Sequence, residues 1–167
     1  TFLIGSPLSI YRNRLAKDLP QIALGSIAVL MGFTFLCTAG YNFAKKRSGK
    51  RIAMLGIFSV MLGLWKLTDT WFTPFMDNDQ PVFSYYITIT MPMLGMLPLM
   101  QWSKASFNEK GRMVISSYEI GLTVLCLLQL LLQWLGIYDL RESVTATHIS
   151  MGIGAAILLV LAAAEWK

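Results

Sequence analysis

The sequence predicts an all-α, polytopic transmembrane helical bundle of about five spans. Hydrophobic residues make up 55% of the 167 residues and charged residues only 14%, and the mean hydropathy is +0.57. A soluble domain of this length cannot bury that much apolar surface, whereas lipid accepts apolar side chains on the outside of a fold. The charged residues also cluster between the apolar stretches, as membrane loops require.

The predicted elements follow from the apolar stretches, each of about twenty residues, the length that a helix needs to cross the hydrocarbon core. Residues 1–20 form an amphipathic lead-in at the extracytoplasmic interface, with Pro20 marking the start of the first span. The transmembrane domain covers residues 21–167. Its expected spans are residues 21–43, 52–72, 82–102, 113–137 and 147–166. Strands are not expected, because an open sheet cannot satisfy its backbone in lipid.

The loops predict the orientation. The first and third loops carry five and three Lys or Arg residues, and the second and fourth carry none and one. Short loops rich in these residues stay in the cytoplasm, so the N-terminus is predicted outside. Arg12, Arg14 and Lys17 oppose this orientation, unless a folded domain upstream overrides them.

Ionisable side chains within a membrane span are costly and are therefore candidates for function. Lys66 and Asp69 lie three residues apart on the second span and can share a helix face. His148 opens the fifth span near the same outer side. Together they form a predicted outer cluster for a ligand or a signal, in which His148 could act as a pH switch. The alternative is a structural ion pair with a snorkelling lysine and an interfacial, hydrogen-bonding histidine.

Glu119 is the fourth candidate. It lies seven residues after Arg112, about 10 Å into the membrane from the cytoplasmic side. Its simplest role is a protonated or paired carboxyl group between helices. A proton relay would need further acids in line with it, and the sequence shows none.

Several apolar positions predict packing. The methionines and prolines of the third span indicate an adaptable core and a kinked helix, and the glycines indicate close helix contacts. Cys37 and Cys126 are expected to pack as small apolar residues. The positions are Met91, Met93, Met96 and Met100, Pro92 and Pro98, Gly25 with Gly32, Gly56 with Gly63, and Gly152 with Gly154.

Enzymatic motifs are missing from the sequence. It contains no Walker loop, no dinucleotide-binding glycines, no zinc-spaced His and Glu, and no nucleophile with a nearby base. We therefore expect no catalytic residue, no metal and no cofactor in this chain. Nucleic-acid binding is not expected either, because the basic residues lie where membrane topology places them.

Two stretches carry a resemblance, namely FLIGSPLSIYRNRLAKDLPQIALGSIAVLMGF and LGIFSVMLGLWKLTDTWF. They resemble bacterial seven-transmembrane sensory receptors with diverse intracellular signalling modules. The resemblance implies an extracytoplasmic sensory domain before the first span, and a cytoplasmic output module such as a diguanylate cyclase (GGDEF) or a histidine kinase. It also implies two more spans after Lys167, so that this chain would be part of a seven-helix receptor in the bacterial inner membrane. A homodimer is compatible with it.

Three functions remain open from the sequence. The leading hypothesis is the transmembrane region of a receptor that relays an extracytoplasmic signal to a cytoplasmic output module. The second is a small transporter or channel subunit, with Lys66, Asp69 and Glu119 lining its path. The third is a structural membrane subunit of a larger complex. The sequence does not identify the stimulus or the output reaction.

Overall fold

The structure is a computed structural model that describes residues 7–68, 81–137 and 140–165. Within these ranges the regular structure consists of five α-helices without a strand, as the sequence predicts. The helices are α1 (Pro7–Ala44), α2 (Lys50–Leu67), α3 (Pro81–Lys104), α4 (Glu109–Trp134) and α5 (Leu140–Glu165).

Three segments of the described chain are long and apolar enough to cross a membrane: Ala16–Ala44 within α1, Glu109–Trp134 and Thr145–Glu165. Three of the five expected membrane-spanning helices are therefore shown to be long and apolar enough to cross a membrane. Helix α2 has only 18 residues and includes three cations among them. Helix α3 contributes buried residues to the core along most of its length, so much of its surface faces other helices.

Helix α1 runs without interruption through Pro20 for 38 residues. The sequence analysis took Pro20 as the start of the first span, but residues 7–20 of the lead-in and the first span form one helix. A proline removes a single backbone hydrogen bond, and the flanking turns continue the helix on both sides. At 1.5 Å per residue α1 is about 57 Å long, which exceeds the hydrocarbon thickness of about 30 Å.

Four glycines hold α1 against α2, as their spacing predicts. Gly25 faces Gly63, and Gly32 faces Gly56 across the interface. A Cβ atom added at Gly63 would lie 2.6 Å from the carbonyl oxygen of Gly25, and one at Gly32 would lie 2.8 Å from that of Gly56. The two backbones are therefore in direct contact, an approach that only small residues permit. The third expected pair differs, because Gly154 meets Tyr118 while a Cβ at Gly152 would meet open space.

The core of the described residues lies between α3 and α4. Three of the four methionines predicted for this core, Met93, Met96 and Met100, pack there against apolar side chains of α4, whereas Met91 is only half-buried and is not a member. Cys126 is part of this core, whereas Cys37 is exposed on α1, and both thiols are free. The core members are Met93, Met96, Met100, Ile115, Leu122 and Cys126.

The outward faces of α1, α4 and α5 are apolar. Trp134, at the end of α4, is 82% exposed. An apolar exterior of this extent is typical of a surface that meets lipid. Its large exposed members include Leu24, Ile27, Leu30 and Phe33 on α1, Ile120, Val124, Leu127 and Leu131 on α4, and Ile149, Ile153, Leu159 and Val160 on α5.

The helices run up and down, and both basic loops meet at one end, which we call the basic end. Arg51 Nη2, at the start of α2, lies 3.3 Å from Ser106 Oγ in the loop between α3 and α4. The backbone N–H of Asn108 donates to Glu165 Oε1 of α5 at 2.7 Å. The cations of this end are Lys45, Lys46, Arg47, Lys50, Arg51, Lys104, Lys110 and Arg112.

A hydrogen bond of Tyr118 links α4 to α5, and we expect its removal to lower stability. Tyr118 Oη donates to the carbonyl oxygen of Ser150 at 2.5 Å. Tyr118→Phe should cost about 1 kcal/mol, because that carbonyl loses its side-chain donor. Equilibrium unfolding in mild detergent measures the change. Tyr41→Phe, on the exposed face of α1, is the matched control, and equal losses in both variants would contradict the assignment.

Candidate functional site

Glu119 is paired at the inner side of the basic end. Its carboxylate makes an ion pair with Lys104 and accepts a hydrogen bond from the side-chain amide of Gln101. The Lys104 and Glu119 side chains are only 20% and 14% exposed. A carboxylate between two helices needs such partners, because burial of an uncompensated charge is costly. Two roles were considered for Glu119, a carboxyl group paired between helices and a member of a proton relay. Its contacts fit the first of these roles.

The helical period explains why these residues meet. Gln101 and Lys104 are three residues apart and therefore lie on one face of α3. Helix α4 presents Ser116, Glu119 and Thr123 at helical spacing toward the same space. Thr123 Oγ1 donates to the backbone carbonyl of Glu119 at 2.8 Å, so this hydroxyl is satisfied within its own helix.

Two adjoining cavities share Gln101 and Lys104 in their walls. The first, of about 350 Å³, runs along α4 and is lined further by Glu119, Ile120 and Val124 among others. We call it the α4 cavity. Its walls therefore combine the ion pair and the polar side chains of Gln101, Ser116 and Thr123 with two apolar side chains that continue onto the exposed face of the helix.

The second cavity, of about 320 Å³, opens at the basic end, and we call it the basic cavity. Four cations line it: Lys50, Arg51, Lys104 and Arg112. Of these, Lys104 is neutralised by Glu119 and Arg51 also contacts Ser106. In the part of the chain that the structure describes, Lys50 and Arg112 form no ion pair. The cavity is therefore strongly positive and suited to an anion.

The start of α4 is fixed by two side chains. Asn108 Oδ1 accepts a hydrogen bond from the backbone N–H of Gly111 at 2.8 Å, which is an N-cap. Glu165 reaches across from α5 to the backbone N–H of Asn108, where a carboxylate also meets the positive end of the helix dipole. These contacts set the position of Arg112 at the mouth of the basic cavity.

The loss of this N-cap is expected to weaken α4 and its contact with α5. Asn108→Ala removes the acceptor for Gly111 N–H and should cost about 1 kcal/mol. Asn108→Ser keeps a capping oxygen and should retain most of the stability. Thermal unfolding of both variants in one detergent tests this expectation, and an equal loss in the two would show that the side chain does not act as a cap.

The predicted outer cluster is only partly described. The Nζ of Lys66 lies 4.2 Å from the centre of the Trp65 ring, a cation–π contact. His148 is exposed on α5. Helix α2 packs against α1 and α3, and α5 packs against α3 and α4, so these two residues lie on helices that both contact α3. Asp69 lies outside the described residues. The outer cluster therefore stays a prediction.

The sequence reasoning missed the contributions of Gln101, Lys104, Lys50 and Arg112 to a shared site. It treated these cations as topology signals and did not single out Gln101. The spacing of Gln101 and Lys104 was a usable signal, since residues three apart at the end of a span can both face the next helix. The pairing with Glu119 depends on the rotation of α3 and α4 about their axes, which the helical period does not set.

The fold and the site together describe an all-α bundle with three helices suited to a membrane and a paired carboxylate beside a basic cavity. No family model, no curated protein and no solved structure matches the chain.

Proposed function

We propose that this chain is the transmembrane relay of a bacterial signalling receptor. In this proposal all five helices cross the inner membrane, with the N-terminus outside and the basic end in the cytoplasm. An extracytoplasmic sensory domain would act on α1, and a cytoplasmic output module would respond. The observation that carries the proposal is the contrast between the two helix interfaces on either side of α2.

The interface between α1 and α2 is built for rigidity. Its glycines bring backbone close to backbone, and the side chains of Val29, Leu36, Val60 and Leu67 pack directly beside them. Little free space therefore remains between the two helices at these points. Gly49, at the start of α2, is equally close to α1, because a Cβ there would lie 2.7 Å from the carbonyl oxygen of Ala39. A displacement of α1 would therefore carry α2 with it.

The contacts of α3 are adaptable, in contrast to the rigid interface between α1 and α2. Helix α3 packs against α2, α4 and α5, and its core contribution consists mainly of methionines. Methionine side chains are unbranched and adapt to changed surroundings, and Pro92 and Pro98 each remove a backbone hydrogen bond from α3. This interface can accommodate two packings, which a two-state relay requires.

The contact between Arg51 and Ser106 gives such a displacement a route to the cytoplasmic side. It joins the start of α2 to the loop between α3 and α4. Movement of the α1–α2 pair would shift this loop and the neighbouring Lys104–Glu119 pair. The relay thus ends at the face where the output module is proposed to lie.

The transporter alternative has less support. A path through the bundle would have to connect Glu119 to the predicted outer cluster. Beyond Glu119, the described space between α3 and α4 is filled by Met93, Met96, Leu122 and Cys126. The buried polar pair of Gln129 and Thr147 lies between α4 and α5, with Oε1 and Oγ1 at 3.4 Å. These contacts favour a packed bundle over a pore.

The test measures the distance between α1 and α5 in the full-length gene product. Cys37 is an exposed native thiol, and Leu159→Cys adds a second on the outward face of α5, where Leu159 is 72% exposed. Spin labels at both positions report movement by electron–electron double resonance. The protein without Leu159→Cys is the labelling control, because the buried Cys126 should remain unlabelled.

Deletion of residues 1–15 should shift the mean distance by about 1–2 Å or populate a second distance, as helix displacements in switching proteins do. The activity of the output module should change with it. Identical distances and unchanged output in a protein that still unfolds cooperatively would contradict the relay and favour a structural subunit. A full reading frame that encodes neither a sensory domain nor an output module would also overturn the proposal.

A further inference from the structure

We propose that the basic cavity and the adjoining α4 cavity together form a binding site for one anionic phospholipid. The phosphate of the headgroup would lie among Lys50, Arg51 and Arg112, and an acyl chain would follow the apolar face of α4. This inference does not rest on the proposed signalling function, since a receptor, a transporter and a structural subunit could each carry the site.

Charge supports an anionic headgroup. Four cations line the basic cavity, and the carboxylate of Glu119 is shared with Lys104 on the far side of it. Lys50 and Arg112 form no ion pair within the described residues, so both can contribute their full charge to a ligand. Arg51 and Arg112 present guanidinium groups, which match the geometry of phosphate oxygens.

Position supports a lipid over a free anion. The cavity lies at the end of helices whose outer faces are apolar, which is the level expected for headgroups. Basic pockets between transmembrane helices on the cytoplasmic side are known to receive anionic headgroups. The α4 cavity shares Gln101 and Lys104 with the basic cavity and leads to Ile120 and Val124, which are 66% and 59% exposed. A positive cleft that continues past a polar wall to exposed apolar side chains of α4 fits a molecule with a phosphate and an acyl chain.

The volumes agree with this assignment. The two cavities hold about 320 and 350 Å³, within the range of roughly 300–1,000 Å³ that small-molecule sites occupy. Each accepts part of a lipid, since the headgroup and the first carbons of one chain enter while the remainder stays in the bilayer.

Thermal unfolding of the purified full chain in a neutral detergent tests the site with four probes. They are dioleoyl phosphatidylglycerol, dioleoyl phosphatidylcholine, soluble glycerol 3-phosphate and inorganic phosphate. Phosphatidylglycerol should raise Tm by about 5–11 °C when it is present at about 100 times Kd. Phosphatidylcholine and the two soluble anions should leave Tm nearly unchanged at equal concentration.

Two double variants with the same loss of charge separate the cavity from the general charge of the basic end. Lys50→Gln with Arg112→Gln removes two cavity cations, and Arg47→Gln with Lys110→Gln removes two cations that do not line it. The first pair should weaken phosphatidylglycerol binding about thirtyfold, or roughly fivefold for each cation. The second pair should retain nearly the affinity of the parent chain. All four side chains are exposed, so both variants should fold, and circular dichroism confirms it.

Every other outcome would overturn the proposal. Equal weakening in the two variants would show general surface attraction instead of a site. A rise in Tm with inorganic phosphate or glycerol 3-phosphate as large as that with phosphatidylglycerol would assign the cavity to a free anion. An equal rise in Tm with phosphatidylcholine, or no rise in Tm with any probe, would show that the cavity does not bind an anionic lipid specifically.

Discussion

Gly63→Ala is expected to lower the free energy of unfolding by about 3 kcal/mol, the upper part of the usual range for overpacking. The added Cβ would lie 2.6 Å from the carbonyl oxygen of Gly25 and 2.7 Å from the backbone nitrogen of Val29. Neither backbone atom can rotate away as the end of a side chain would. The helices α1 and α2 must therefore separate, and their neighbouring contacts weaken with them.

The control for this prediction is Gly40→Ala on α1, where an added Cβ meets nothing within 4 Å. Alanine favours the helix over glycine by about 0.5–1 kcal/mol, so this variant should be as stable as the parent chain or more stable. Both free energies are measured by reversible unfolding in mixed micelles. If Gly63→Ala were as stable as Gly40→Ala, the backbone contact between α1 and α2 would not exist.

Glu119→Ala is expected to cost about 2 kcal/mol, less than the loss for a fully buried pair because both side chains retain some exposure. The substitution leaves Lys104 without its carboxylate partner and removes the acceptor for the Gln101 amide. Glu119→Gln keeps an oxygen for Gln101 and should cost less. Glu109→Ala, an exposed acid in the first turn of the same helix, should cost under about 1 kcal/mol.

A double-mutant cycle isolates the ion pair from these other effects. Lys104→Ala removes the charge that Glu119 compensates, so the double variant should be clearly more stable than the sum of the two single losses predicts. The coupling is measured in the same unfolding experiment at a fixed salt concentration. Strictly additive losses would mean that Lys104 and Glu119 do not interact.

Several features of the fold were predictable because they depend on local patterns. The helices and their approximate limits follow from hydropathy and length, as α4 shows. Helix α5 differs, because it begins at Leu140 and includes most of the loop that was expected before residue 147. Close helix contact at the glycines of α1 and α2 was also predictable, although the spacing did not say which helices would meet. Glycines seven residues apart recur on one face after two helical turns, and Gly25 and Gly32 meet the equivalent pair on α2.

Pro20 shows a limit of such local rules. Proline is unfavourable inside a helix, and the sequence therefore suggested that the first span starts there. The penalty concerns one missing hydrogen bond and a local clash, whereas the helix on either side of Pro20 retains its other hydrogen bonds. The hydrogen bonds of all the other turns of α1 together outweigh the penalty at Pro20, so the helix continues. A rule that considers one residue at a time does not include these other hydrogen bonds.

The candidate site shows a second limit. The sequence identified Glu119 as a carboxyl group that would be either protonated or paired, because a charge inside a membrane span is costly. It did not identify the partner, because Lys104 and Gln101 reach Glu119 only through the relative rotation and offset of α3 and α4. Cations from α2, α3 and α4 likewise line one cavity only after the three helices have packed.

The sequence by itself determined the all-α class, three of the five segments expected to cross a membrane, and the close packing at the glycines of α1 and α2. Each of these depends on composition or on the helical period, which are properties of a single segment. The tertiary structure alone decided that Glu119 meets Lys104 and Gln101 and that the ends of α2, α3 and α4 line one open cavity. Those contacts depend on the rotation of neighbouring helices about their axes and on their offset along the bundle. Packing across the whole bundle sets the rotation and the offset.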